Sequence, residues 1–345
     1  MNVLTALDRK SDYSKTQLQL IVAAWVMSTV VERRKRISVT DGDVSEEDYE
    51  KTSIYSLLYA LYRSMGEVES ANGARYEFTF NTWGYAWPAT WGPCPNKPSD
   101  PQLYGKNAYA GLFHFDAAKR YVAERNGKVH VVEMGCGTGA GAHEICANVL
   151  SACTYEAIDM QQAAIQTCRR KFVPHLGGRL VATCADATHL TNADGVADFI
   201  VVNETHVTEH PGQCTDEDQR FFRTARRLLK PGGFLVWGNA IPDSTWKPCF
   251  EFLASIGMRL EEQCDVTKEA VQARDLDQPR IDRYVADIIA TFHGFRIPYV
   301  GEKKRREADW AIKNFSRNPG TRLYENMVDG TDSYKVVLLK RLGDA

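Results

Sequence analysis

Two stretches of this 345-residue chain carry residue types at spacings that can do chemistry. The first is Glu133-Met134-Gly135-Cys136-Gly137-Thr138-Gly139, an apolar run that ends in a carboxylate and then alternates glycines. Glycine removes the side chain that would keep a ligand off the backbone, and a helix starting there turns its N–H groups toward a ligand's negative end. The second is Asn203-Glu204-Thr205-His206-Val207-Thr208-Glu209-His210, with two histidines and two glutamates in one short loop. Imidazole titrates near neutrality, so His206 is the first candidate for a general base. Glu204 can orient a bound acceptor or the imidazole, and His210 is the second candidate base; the alternative is a polar, solvent-exposed loop. A metal held by these side chains lacks a third well-spaced ligand, so no metal is expected.

The elements that position both stretches alternate strand, turn and helix. Val129–Met134 reads as a short apolar strand and Ala140–Leu150 as a helix opening from the glycine turn. Thr154–Ile158, Arg179–Cys184, Phe199–Val202 and Phe234–Asn239 read as further strands, with helices over Gln161–Phe172 and Asp216–Leu229, the latter capped by Thr215. Such alternation requires parallel strands joined by crossover helices on both faces. Met258–Cys264 and Tyr334–Lys340 supply two more strands. The segment 265–333 between them carries expected helices near Thr267–Arg274, Pro279–Phe292 and Lys303–Phe315. An insertion of that length usually covers a binding site.

Spacing alone leaves the ligand open. Gly135-x-Gly137-x-x-Ala140 also fits the dinucleotide fingerprint, and Asp159 stands about 20 positions on, where an acid accepts ribose hydroxyls. Three features separate the alternatives. Glu133 ends an apolar strand, where an uncompensated charge is costly and a cationic partner would explain it. Asp186-Ala187 follows strand three, ready for an adenine amine. Leu229-Lys230-Pro231-Gly232-Gly233 stops a helix and reverses the chain into strand five.

With Asp159 and Ala197-Asp198-Phe199-Ile200-Val201-Val202, this ordered set resembles the class I S-adenosylmethionine (SAM) dependent methyltransferases over roughly residues 129–239. The resemblance implies an α/β Rossmann-like sheet of seven strands ordered 3-2-1-4-5-7-6, with strand seven antiparallel and 265–333 as a lid. It also implies SAM as cofactor, with Asp159 on the ribose, Asp186 and Ala187 beside the adenine and Glu133 near the methionine moiety; Gly135, Gly137, Gly139, Met160 and Asn203 complete the cofactor-binding candidates. The competing classes are an NAD-type oxidoreductase on the same turn and a non-catalytic SAM-binding partner subunit.

Ahead of this core, residues 1–115 form a helical and aromatic-rich cap region, and 116–345 the cofactor-binding domain. Helices are expected over Gln17–Val31 and Glu46–Met65, and a homodimer through them is possible. Trp83 and Tyr85 can line the acceptor pocket or simply pack the cap onto the core. The proline-rich stretch 88–101 argues against regular structure. A cap and a lid enclose the site, which suits a small, partly apolar biosynthetic metabolite better than a protein tail or a duplex. Oxygen acceptors are favoured, with carbon acceptors as the alternative. A net charge of −2 gives no electrostatic case for nucleic acid, and the short basic runs Arg33–Arg36 and Lys303–Arg306 read as solvated surface. Nine cysteines without a C-x-x-C pair, no secretory leader and no apolar run of spanning length lead to the expectation of a cytoplasmic protein with free thiols.

Overall fold

The computed structural model describes Phe80 and residues 82–100, 102–205, 210–294, 313 and 316–343. The expected helices at 17–31, 46–65 and 303–315, the dimer contact and the base candidate His206 lie outside the described residues, apart from Lys313. The described chain falls into two compact units, one holding 79–276 and 324–345 and the other holding 277–323. The chemistry-bearing residues belong to the first.

That unit is built on one sheet in the order β3-β2-β1-β4-β5-β7-β6. Its strands are β1 (His130–Met134), β2 (Thr154–Asp159), β3 (Leu180–Cys184), β4 (Ala197–Asn203), β5 (Leu229–Pro242), β6 (Met258–Asp265) and β7 (Asp332–Arg341). β1 to β5 pair in parallel, and β7 runs antiparallel between β5 and β6. This is the expected order. The dinucleotide reading of the glycine turn falls away here, because that fold carries an open 3-2-1-4-5-6 sheet.

Alternation along the strands sends side chains to two faces. Val132, Met134, Ile200, Val202, Leu235, Trp237, Val337 and Leu339 face a core shared with α5 (Asp216–Leu228) and α6 (Asp243–Ser255), where Phe222, Trp246 and Leu253 are buried. On the other face Phe113 and Tyr121 meet Phe199 edge-on at 5.2 and 5.4 Å. Phe113 follows α1 (Leu103–Gly111), and Tyr121 lies on α2 (Asp116–Glu124). Each such side chain contributes roughly 1.5–3 kcal/mol on burial. α5 starts on a full capping box: the Thr215 hydroxyl accepts the Asp218 N–H, and the Asp218 carboxylate accepts the Thr215 N–H at 2.8 Å.

Three local expectations change. The helix after the glycine turn is α3 (Ala140–Glu144) continued by a π-turn over Ile145–Val149, not one α-helix to Leu150. The two helices expected on either side of Pro279 are one, α7 (Thr267–Gly294); proline lacks an N–H, so only the Asp275 carbonyl loses its helical donor. Helix α8 (Arg322–Asp329), unforeseen, precedes β7. β2 and β3 are joined by α4 (Gln162–Lys171). Among the described residues no helix is long and apolar enough to cross a membrane.

Candidate functional site

The turn after β1 is drawn against the end of β2. Gly135 and Cys136 donate their N–H groups to the Ile158 carbonyl at 2.8 and 2.9 Å, and Gly137 donates to Asp159 Oδ2 at 2.8 Å. Gly135 has φ 89° and Gly139 φ 83°, conformations that favour glycine. Their bare Cα atoms make room for the protein itself: a Cβ on Gly135 would come within 2.0 Å of Thr205 Cγ2, and one on Gly139 within 2.2 Å of Cys168 Sγ. Gly137 also takes a positive φ, 54°. The N–H groups left for a ligand are those of the first turn of α3, which no helix satisfies internally.

Asp159 ends β2 almost fully buried, with Oδ1 accepting the Gln161 N–H at 2.8 Å. Burial raises its carboxyl above the usual range against the pull of the Gln161 and Gly137 N–H groups. A carboxylate so desolvated gains from further donors such as ribose hydroxyls. Met160 beside it is 54% exposed, an apolar surface at the mouth of the site. Asp186 caps the short turn Ala187–His189, accepting the Thr188 N–H at 2.8 Å and meeting His189 Nδ1 at 3.1 Å. Partial burial opposes the change, yet the Thr188 and His189 contacts hold its carboxyl below the ordinary value.

Glu133 is fully buried on the face covered by α1 and α3. Its Oε2 accepts the Tyr155 hydroxyl at 3.1 Å, while Oε1 meets no donor in hydrogen-bonding geometry. Burial pushes its carboxyl up to about 8; the Tyr155 and Tyr109 phenols pull it down and the Asp159 charge adds to the rise. One strand across, at the end of β4, Asn203 Nδ2 is likewise buried without an acceptor. Tyr109 borders both groups. An orphaned acceptor beside an orphaned donor suits a ligand that brings an ammonium and a carboxylate on one carbon, which is the methionine end of SAM. The residues present therefore fit that cofactor.

The residues expected to line an acceptor gather at the same edge. Glu204 follows β4 in the left-handed region, φ 47°, a strain on the order of 1–2 kcal/mol for a non-glycine residue. Its carboxylate accepts the Trp83 N–H through both oxygens, at 2.7 and 2.8 Å, and its own N–H donates to the Gly238 carbonyl at 2.7 Å. Trp83 and Tyr85 are buried. The segment 82–87 that carries them is tied down by Tyr85 N–H to the Tyr104 carbonyl at 3.3 Å, Ala86 N–H to the Glu269 carbonyl at 2.9 Å and Asn107 Nδ2 to the Tyr85 carbonyl at 3.1 Å. Tyr334 on β7 meets Tyr85 edge-on at 5.5 Å and lies 3.4 Å from Asn203 Oδ1. Burial first, then the Glu204 charge, keeps its phenol protonated far above neutrality. His210 is exposed, and its carbonyl accepts the Thr245 hydroxyl at 3.1 Å.

Tyr109, Tyr155, Thr205 and Tyr334 went unread in the sequence because each acts across a long chain separation. A lone tyrosine in an apolar strand carries no local signal. The motif lysine Lys230 has a structural place: its ammonium, the Tyr121 hydroxyl and the His130 N–H converge on Asp198 at the opposite end of β4, at 2.8, 2.9 and 2.8 Å. Among the described residues no group of three or more His, Cys, Asp or Glu side chains is arranged to hold a metal.

A family model described as a methyltransferase domain matches residues 131–233, the span from β1 to the start of β5. The chain is 25% identical over 205 residues to the probable phthiotriol/phenolphthiotriol dimycocerosates methyltransferase 2 of Mycobacterium ulcerans, covering 59% of this chain and 72% of that one. It is 25% identical over 197 residues to the phthiotriol/phenolphthiotriol dimycocerosates methyltransferase of Mycobacterium tuberculosis, covering 57% of this chain and 66% of that one. Among solved structures, the [4+2]-cyclase SpnF superposes with a TM-score of 0.54 at 16% identity, over 84% of this chain and 94% of its own. A putative sarcosine dimethylglycine methyltransferase from Galdieria sulphuraria gives 0.51 at 9% identity, over 76% and 93%. Names this different on one fold mean that the acceptor must be argued from the site.

Proposed function

We propose that this chain, which belongs to the class I S-adenosylmethionine-dependent methyltransferases, transfers the methyl group to a hydroxyl oxygen of a lipid-like, largely apolar acceptor. The observation that carries the acceptor class is the composition of the edge beyond β4: Trp83, Tyr85 and Tyr334 are buried aromatic residues, Tyr85 meeting Tyr334 edge-on, and Asn203 and Glu204 are the polar groups bonded to the Tyr334 hydroxyl and the Trp83 N–H. Apolar walls with few polar groups select an apolar body and orient one polar point. The matched relatives are named for a triol, an acceptor with hydroxyls, which favours oxygen over carbon.

In this reading the cofactor is held by Glu133 and Asn203 at its amino-acid end, by the turn Gly135–Gly139 along its length, by Asp159 at the ribose, and by Met160, Asp186 and Ala187 at the base. When bound, it supplies a methyl on a sulfonium, already an activated electrophile. The protein's remaining tasks are alignment, exclusion of water and removal of one proton. The strap 82–87 excludes water, Glu204 and Tyr334 hold the acceptor edge in shape, and His206, three residues past β4, accepts the hydroxyl proton, with His210 as the alternative base.

The test is transfer of radiolabelled methyl from SAM to a panel of long-chain alcohols, their phenolic analogues and isoprenoid diphosphates. Labelled ethers formed from the alcohols, with His206→Ala reducing turnover about 100-fold or more while S-adenosylhomocysteine still binds, is the expected result. Label appearing on carbon, or turnover undisturbed by His206→Ala, overturns the oxygen acceptor or the base respectively.

A further inference from the structure

The two residues that follow β4 point their bonds in two directions. Thr205 reaches back to the cofactor turn: its hydroxyl donates to the Gly135 carbonyl at 3.0 Å, and its side chain fills the space a Gly135 side chain would need. Glu204, its neighbour, reaches outward and holds the Trp83 N–H with both carboxylate oxygens. The backbone between them is fixed by the strained left-handed conformation of Glu204 and by its N–H bond to Gly238. A continuous run of hydrogen bonds thus links the Gly135 carbonyl through Thr205 and Glu204 to the Trp83 N–H in the strap 82–87.

We infer that Thr205 and Glu204 are positioning residues that couple filling of the cofactor turn to closure of the strap over the acceptor. This rests on the proposed acceptor site lying under that strap. Neither side chain transfers a proton or touches the methyl in this role. The physical content is a two-ended hydrogen-bonded lever: with Gly135 held by ligand, the Thr205 bond is made, Glu204 keeps its register, and Trp83 is pinned. By linkage the coupling is reciprocal, so pinning of the strap tightens the cofactor by the same factor. The arrangement also explains why the residue at 135 must be glycine, since the lever arm itself occupies the space of its side chain.

Hydrogen–deuterium exchange of the peptide spanning 82–87, with and without S-adenosylhomocysteine, reads the coupling directly in the full-length chain. In the native protein the ligand should slow exchange of the Trp83 amide by about tenfold. Thr205→Val keeps the shape but removes the hydroxyl, and should abolish the slowing; Thr205→Ser restores the hydroxyl and should restore it. Glu204→Leu should leave Trp83 exchanging fast in either state. Thermal unfolding of each variant checks that it folds, and Glu204→Leu keeps the test decisive if Thr205→Val does not fold, since ligand-induced slowing that survives it refutes the coupling. Calorimetric titration with S-adenosylhomocysteine separates two failures. No binding to the native chain refutes the cofactor site itself, whereas binding with unchanged Trp83 exchange, or slowing that survives Thr205→Val, refutes the coupling alone.

Discussion

Replacing Glu133 by glutamine should make this protein more stable at alkaline pH while weakening its hold on the cofactor. Glu133 is fully buried, and its carboxyl is pushed from the ordinary 4.5 up to about 8 by burial. At 1.36 kcal/mol per tenfold change in proton affinity, that rise makes the ionised form about 5 kcal/mol costlier in the fold than in the unfolded chain. Because the folded state binds the proton more tightly, the contribution is fully present below pH 4.5. It is lost as the pH climbs to about 8 and is flat beyond. Glutamine is neutral throughout and can still accept the Tyr155 hydroxyl, at a cost of about 1 kcal/mol for an imperfectly satisfied amide. Urea unfolding should thus find Glu133→Gln slightly less stable than the native chain at pH 4.5 and roughly 3–4 kcal/mol more stable at pH 9. The native chain should also release a proton on binding S-adenosylhomocysteine at pH 7, since the ligand's ammonium favours the ionised carboxylate; calorimetry in two buffers of different ionisation enthalpy measures it. Parallel stability curves for the two proteins from pH 4.5 to 9 would refute the reasoning, whatever happens to binding.

Two further outcomes follow from the geometry. His114 stacks on Trp91 at 3.5 Å and has its imidazole lowered from 6.5 to about 4, by burial first, against the pull of the Gly111 carbonyl. The unfolded chain therefore takes up a proton that the fold refuses, so stability should drop between pH 6.5 and 4 by roughly 3 kcal/mol, a loss that His114→Phe removes in denaturant titrations. Gly139→Ala places a methyl within 2.2 Å of Cys168 Sγ at φ 83°; a loss of about 2–4 kcal/mol by urea midpoint is expected, and Cys168→Ala in the same chain should recover part of it.

Most strands were legible as apolar runs closed by glycine, aspartate or asparagine, and their parallel pairing follows from the crossovers. Their order came from the resemblance of the motif set to the class I methyltransferases, and β6, Met258–Asp265, is largely polar. Strand ends were less legible. β5 runs from Leu229 to Pro242, well beyond its apolar stretch, since from Phe234 it pairs with β7 out to Pro242 against Asp332. At the cofactor turn the residue types were legible and their causes were not. The glycines at 135 and 139 stand out as a ligand cradle, yet the atoms that forbid a side chain there belong to Thr205 and Cys168. Lys230 stood out as part of a family motif, and its ammonium proves to brace Asp198 away from the site.

The two halves of the site differ in how their partners are distributed along the chain, and this bears on which half sets specificity. The cofactor half is local: Glu133, the glycine turn, Asp159 and Asp186 come in order from successive strand ends, and the family match covers them. The acceptor half is assembled from afar, with Trp83 on Glu204 121 residues away and Tyr334 on Asn203 131 residues away. Residues 83 and 334 lie outside the matched span 131–233. The same sheet and turn can thus be retained while the acceptor wall is rebuilt, which accords with a cyclase and a methyltransferase sharing this fold at low identity. On the proposed reading, acceptor choice resides in Trp83, Tyr85 and Tyr334, and Glu204 ties the first of them to the strand that also carries Asn203.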